Sequence, residues 1–107
     1  MLIRVVKLSI KTESIEAFLA NFEQVRSTII GFEGCHYLEL LQDSGNSNTF
    51  FTYSHWESEE HLESYRNSPI FSDIWRTTKT MFDQPAQAWS LDSIDQLGTW
   101  QTDNQNR

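Results

Sequence analysis

The sequence has little cysteine and few basic residues. Its single cysteine, Cys35, excludes a disulfide within one chain, and a small buried side chain is the default for this residue over a reactive thiol. Eight scattered Lys and Arg residues against fifteen Asp and Glu residues give a formal net charge of −7. Nucleic acids and anionic membrane surfaces both require clustered positive charge, so neither is expected as a partner.

The chain also lacks membrane, export and common catalytic signatures. No stretch approaches the ~20 apolar residues of a membrane helix. Arg4 and Lys7 interrupt the first apolar stretch, so a secretory signal is not expected and we expect a cytoplasmic protein. No serine-nucleophile, phosphate-loop or zinc-protease motif is present. His36, His55 and His61 are far apart in sequence, and surface or core positions are their default, so no metal or other cofactor is expected.

Aromatic residues are plentiful, at 13% of the chain, which is enough to build a core. Residues 2–10 predict a strand with apolar side chains on both faces, which indicates a strand covered on two sides. Thr12 is the predicted N-cap of a helix whose apolar stripe runs over 15–29. Gly31 and Gly34 are expected to end this helix.

The second half of the chain predicts a hairpin, two helical segments and a last strand. Strands over 35–42 and 49–56 flank a segment rich in Asp, Asn, Ser and Gly, which is typical of a turn. Ser58 is the predicted N-cap of one helix, and Ser68, with a proline directly after it, begins another. Residues 86–94 predict the fourth strand.

The resulting order, β-α-β-β-α-β, indicates a ferredoxin-like α+β fold with an antiparallel four-stranded sheet. We assign residues 1–95 to this domain and residues 96–107 to a polar tail that frays, apart from Leu97 and Trp100. The helices would cover one sheet face, and the other face still carries apolar residues. A second copy of the chain is the economical cover, so a homodimer is expected.

Aromatic residues crowd around the second helical region, and singly each is more often a core residue than a site residue. As a set, Trp56, Tyr65, Phe71 and Trp75 are predicted to wall an apolar pocket between sheet and helices, as in many small-molecule sites. The candidate catalytic groups are the Tyr65 hydroxyl and the imidazoles of His36 and His55. The other residues of the wall, together with Phe22 and Tyr53, are expected to contact the substrate.

Two segments resemble the antibiotic biosynthesis monooxygenase family. Residues 55–71, HWESEEHLESYRNSPIF, are similar to the family's central signature: a Trp closing the third strand, Ser and acidic residues starting a helix, then Ser-Pro and Phe. Residues 31–40, GFEGCHYLEL, resemble its Gly-rich turn into the second strand. The resemblance covers about residues 2–94, and it is more specific for the family than for a substrate.

The resemblance implies a dimeric α/β barrel formed by two sheets, with a cavity between sheet and helices in each subunit. Characterised relatives oxidise quinols or polycyclic aromatic phenols with O2, often with neither metal nor flavin. In that cofactor-free chemistry the substrate carries the redox step, while the protein forms the substrate anion, excludes water and stabilises negative charge.

This chain departs from two branches of the family. Many quinol-type relatives have a His where this chain has Tyr65, which alters the source of a base. Heme-degrading relatives have Asn, Trp and a heme-ligating His at positions occupied here by Val6, Tyr65 and Trp75, so heme is not an expected ligand. Two readings stay open: a cofactor-independent monooxygenase acting on a small quinol or phenol, and a non-catalytic dimeric barrel that binds a small apolar ligand as a stress or regulatory module.

Overall fold

The computed structural model describes residues 1–98. Four strands and three helices form the domain, with one short 3-10 turn at 12–14 and another at 79–81. In chain order they are β1 (Leu2–Ser9), α1 (Ile15–Ile30), β2 (Cys35–Gln42), β3 (Thr49–Trp56), α2 (Glu59–Arg66), α3 (Pro69–Thr78) and β4 (Gln87–Asp92).

The strands form one antiparallel sheet in the order β2-β3-β1-β4. This order and the helices packed on one face confirm the predicted ferredoxin-like α+β fold. In β1 and β3 the even-numbered residues face the helices, and the odd-numbered residues form the opposite, outer face. Leu2 lies opposite Trp56, and Val6 lies opposite Thr52, so the two strands contribute matching rows to the helix-covered side.

The predicted caps of the second and third helices are confirmed. Ser58 and Ser68 accept hydrogen bonds from backbone amides three residues later, at 3.2 and 3.1 Å, which satisfies one free amide at the start of each helix. The predicted cap at Thr12 is wrong. Thr12 opens the 3-10 turn, α1 begins after Ser14, and the Thr12 hydroxyl accepts a hydrogen bond from the Asn48 side chain at 3.0 Å.

Two clusters of buried side chains lie between the helices and the sheet, one towards each end. The first contains Leu2, Ile29, Cys35, Trp56, Leu62 and Tyr65, and the second contains Leu8, Ile10, Phe18 and Phe50. Cys35 is buried, as predicted, and burial raises the pKa of its thiol. Partly buried Trp75 and Phe82 pack against the second cluster.

Gly31 caps the C-terminus of α1, whereas Gly34 belongs to the turn that follows. Gly34 has φ of +91°, and a Cβ atom there would come within 2.4 Å of the His61 ring. Only glycine fits this close approach between the turn and α2. The contact holds the first turn of α2 against the end of β3, where the Gly34 carbonyl also accepts a hydrogen bond from the Glu57 amide at 2.7 Å.

The last strand, Gln87–Asp92, is shorter than the predicted segment 86–94. The predicted tail begins at residue 96, and all of it beyond residue 98, including Trp100, lies outside the described residues. Within residues 1–98, no helix has the length and apolar character needed to cross a membrane.

Candidate functional site

A cavity of about 320 Å³ lies between the sheet and the helices. Its floor carries small side chains where bulky ones would fill the space. They are Thr52 and Ser54 on β3, Ala86 just before β4, and Ala88 on β4. Close packing normally eliminates such voids, so small residues beneath large helical ones leave room for a ligand. The volume lies at the lower end of the range typical of small-molecule pockets.

Stacked and edge-on aromatic rings form one wall of this cavity. Tyr65 stacks on Trp56 with ring centroids 5.1 Å apart, and Phe71 meets Tyr65 edge-on at 5.1 Å. Phe71 in turn stacks on Trp75 at 5.6 Å. Phe22 reaches the same space from α1. The structure thus brings together the five aromatic candidates of the helix-covered side around one apolar space.

Tyr65 is the central polar group of this wall. It is buried, and burial raises the pKa of its phenol to about 12. Within residues 1–98 its hydroxyl has no hydrogen-bond partner. At neutral pH the group is therefore protonated and able to donate a hydrogen bond to a ligand oxygen, but it is a poor base. The neighbouring Trp56 ring is fixed by its own bond, from Nε1 to the Ser54 hydroxyl at 3.0 Å.

The remaining candidates lie away from the cavity. Tyr53 and His55 have odd numbers in β3, so they point to the outer face, where both rings contact Tyr37. In the described part of the chain, the buried Nε2 atom of His55 has no hydrogen-bond partner. Burial, assisted by the N-terminal positive charge, lowers the pKa of His55.

His36 also lies outside the cavity, at a β-bulge. Cys35 pairs with Trp56 and Tyr37 pairs with His55, so His36 is an extra residue with no partner on β3. Its exposed ring instead meets the carboxylate of Glu57, with Nε2 2.6 Å from Oε1. Neither imidazole reaches the aromatic wall.

Two arginines of the cavity lining were not among the candidates. Arg4 faces the helices from β1 and donates from Nη1 to the Ser90 hydroxyl at 2.9 Å, and Arg66 lies at the end of α2. Burial, followed by the charge of Arg66, lowers the pKa of Arg4, although the group stays cationic at neutral pH. A signal did exist in the sequence: Arg4 interrupts the apolar alternation of Leu2, Val6 and Leu8.

Across residues 1–98, no three His, Cys, Asp or Glu side chains lie together in a group that could hold a metal ion.

The fold and the cavity define a ferredoxin-like α+β domain with an aromatic pocket between sheet and helices. The family model described as antibiotic biosynthesis monooxygenase matches residues 1–77. The match spans more than half of the chain and includes α1, β3 and most of α3. The chain belongs to the antibiotic biosynthesis monooxygenase family.

Solved structures agree on the fold. A protein from Nitrosomonas europaea that carries the family's name superposes with a TM-score of 0.81 at 17% identity, covering 89% of this chain and 100% of that one. A conserved protein from Methanosarcina mazei Go1 gives 0.79 at 22% identity, with 85% and 91% coverage. Rv0793 from Mycobacterium tuberculosis gives 0.81 at 13%, with 91% and 98% coverage. Such identities show the fold alone. No curated protein matches the chain.

Proposed function

We propose that this protein is a cofactor-independent monooxygenase that oxidises a small quinol or phenolic aromatic substrate with O2. The observation that carries the proposal is the aromatic cavity, in which Tyr65 presents a buried phenol without a protein partner among residues 1–98. Aromatic rings at stacking distances favour a flat ring system, and the enclosed wall limits water around a reactive anion.

In the proposed reaction the substrate supplies the electrons. A CH2 group next to a phenolic ring becomes a carbonyl by giving two hydrogens and four electrons to O2. One oxygen atom enters the substrate, and the other leaves as water. The contribution of the protein is to orient the ring and to stabilise the oxyanion that forms when the substrate loses its first proton. Tyr65 would donate a hydrogen bond to that oxygen, with Arg4 as a nearby positive charge.

A second function has its own support. With His36 and His55 outside the cavity, and with the pKa of Tyr65 raised, the lining described has no side chain placed as a base near neutral pH. The same cavity would then serve a binding module, in which a small aromatic ligand is held and not oxidised. A substrate that loses its first proton near neutral pH without a catalyst distinguishes the two functions. A monooxygenase would oxidise it without help from a protein base, whereas a binding module would only hold it.

Oxygen uptake tests the proposal. A panel of anthrones, hydroquinones and polyphenols would be offered to chelator-treated protein, and O2 consumption and product absorbance recorded. Tyr65→Phe should lower turnover while the unfolding midpoint changes little. The lost hydrogen bond is worth on the order of 1 kcal/mol, and more if it meets a developing charge.

Tyr37→Phe is the matched control for this experiment. It removes the same atom from the outer face, where the Tyr37 hydroxyl donates to Glu39 at 2.9 Å, and it should leave turnover unchanged. If no substrate in the panel is consumed, the monooxygenase is rejected and the binding module remains. Equal losses in both tyrosine variants would exclude the role given to Tyr65.

We also propose that two copies pair through their outer sheet faces, in the cytoplasm expected from the sequence. The support is apolar exposure, since Trp89 and Leu91 on β4 keep 43% and 48% of their surface exposed. His55 lies on the same face, and its buried Nε2 atom has no hydrogen-bond partner among residues 1–98. Bulky apolar groups on a face that no helix of residues 1–98 covers are typical of an association surface. Sedimentation equilibrium at micromolar concentration should report twice the chain mass, and a monomer would reject this pairing.

A further inference from the structure

The positive charge of this acidic protein is unevenly placed. Of the eight basic residues, Arg4 and Arg66 line the cavity itself, and Arg76 and Lys79 line a second depression beside it. The two spaces share Arg66 together with Phe71 and Trp75, so the depression continues the aromatic wall outward. Arg66 and Arg76 are each paired with a surface carboxylate, Glu63 at 2.9 Å and Asp73 at 3.1 Å, so the lining carries four basic side chains beside two paired acidic ones.

Arg4 is held at the floor of the cavity by the sheet. It pairs in register with Ser54 on one side and with Ser90 on the other, and its guanidinium crosses to the Ser90 hydroxyl at 2.9 Å. Within residues 1–98 this is the only hydrogen bond of the guanidinium, which has five N–H groups. The remaining donors are available to the cavity.

Arg66 faces the same space from α2 and is only partly neutralised. Its Nη1 lies 2.9 Å from Glu63 in an i, i+3 pair at the protein surface. The charges of Glu63 and Glu59 raise the pKa of Arg4, but the repulsion from Arg66 lowers it by more than either of them raises it. Arg4 is partly buried at the floor and Arg66 is exposed at the edge of the same cavity, so a bound anion would relieve the repulsion between them.

We propose that Arg4 and Arg66 form an anion subsite in the aromatic cavity, so that the ligand is a flat aromatic molecule bearing a carboxylate. The ring would lie along Phe71 and Trp75, and the carboxylate would accept hydrogen bonds from the two guanidiniums, which suit its planar geometry. The inference rests on the proposed function only in identifying this ligand with the substrate. Binding itself requires no turnover.

The test compares two ligands that differ in charge and hardly in shape, 2-naphthoate and 2-naphthamide, by isothermal titration calorimetry on the full chain. Naphthoate should bind at least tenfold more tightly than naphthamide. In Arg4→Met and in Arg66→Gln this preference should fall to less than threefold, while the affinity for naphthamide stays the same. Methionine keeps the unbranched stem of Arg4, and Arg66 is exposed, so both variants should retain the melting temperature.

Arg26→Gln is the matched control. Arg26 forms the same kind of i, i+3 pair, with Glu23 at 3.1 Å, but it does not line the cavity, so its loss should leave the tenfold preference intact. Equal affinity for the two ligands, no binding of either at millimolar concentration, or an equal loss in Arg26→Gln would each overturn the anion subsite. O2 uptake with a neutral phenolic substrate is scored separately. If no O2 is consumed, the monooxygenase is rejected, but the preference for naphthoate over naphthamide still tests the anion subsite.

Discussion

The two faces of the sheet are built from alternate residues of the same strands, yet they differ in shape and chemistry. On β3 the helix-covered face carries Thr52 and Ser54, whose small side chains leave space beneath the helices. The outer face carries Phe51, Tyr53 and His55, and the rings of Tyr53 and His55 meet edge-on with centroids 5.2 Å apart. One face can therefore hold a ligand, and the other presents a broad surface suited to a second sheet.

The largest effect is expected from removing the most buried aromatic ring of the helix-covered face. Trp56 is 1% exposed, stacks on Tyr65 and donates to Ser54. Trp56→Ala should lower the free energy of unfolding by ~3–5 kcal/mol, measured by urea denaturation. Trp89→Ala removes the same ring from the outer face, where it is 43% exposed, and should cost less. Equal losses would contradict the difference drawn between the faces.

A smaller effect is expected on association. Leu91→Glu places a charge on the apolar outer face and should weaken dimerisation at least tenfold, or ~1.4 kcal/mol, in sedimentation equilibrium. The control is Leu19→Glu on α1, a leucine of similar exposure outside the sheet, at 43% against 48%, which should leave the association constant unchanged. Dimers of undiminished affinity in Leu91→Glu would place the interface elsewhere.

The smallest effect concerns pH. The pKa of folded His55 lies below its ordinary value of 6.5, because burial disfavours the charged ring. The unfolded chain then takes up the proton more readily, so the contribution of neutral His55 to stability is present above pH 6.5 and is lost as the pH falls below it. Urea midpoints measured between pH 5 and 8 should show this slope in wild type and in His36→Gln, but a flatter one in His55→Phe. An unchanged slope in His55→Phe would mean that other groups cause it.

The order of the elements was readable from the sequence because each depended on local chemistry. The caps at Ser58 and Ser68 are set by backbone amides a few residues away, and the alternation of Phe50, Thr52 and Ser54 assigns them to one face whatever the partner strand. The aromatic wall followed for the same reason, since α2 and α3 must pack on that face.

The errors arose where distant parts of the chain decide the local structure. Thr12 failed as a cap because a 3-10 turn precedes α1 there, and its hydroxyl accepts a hydrogen bond from Asn48 in the turn between β2 and β3. His36, a candidate base, lies outside the cavity beside a bulge that shifts β2 by one residue, which alternation alone cannot reveal. Arg4 was overlooked although a charge amid apolar, inward-facing neighbours is a readable signal.

The most direct test of the central claim is to observe which tryptophans respond to a ligand. The chain labelled with 15N at its indole groups would be titrated with 2-naphthol, and the indole signals assigned by single Trp→Phe variants. If the ligand enters the helix-covered cavity, the signals of Trp56 and Trp75, which line it, should shift in a saturable way while that of Trp89 on the outer face stays in place. A shift confined to Trp89, or no shift of any indole at millimolar naphthol, would contradict the assignment of the helix-covered cavity as the ligand site.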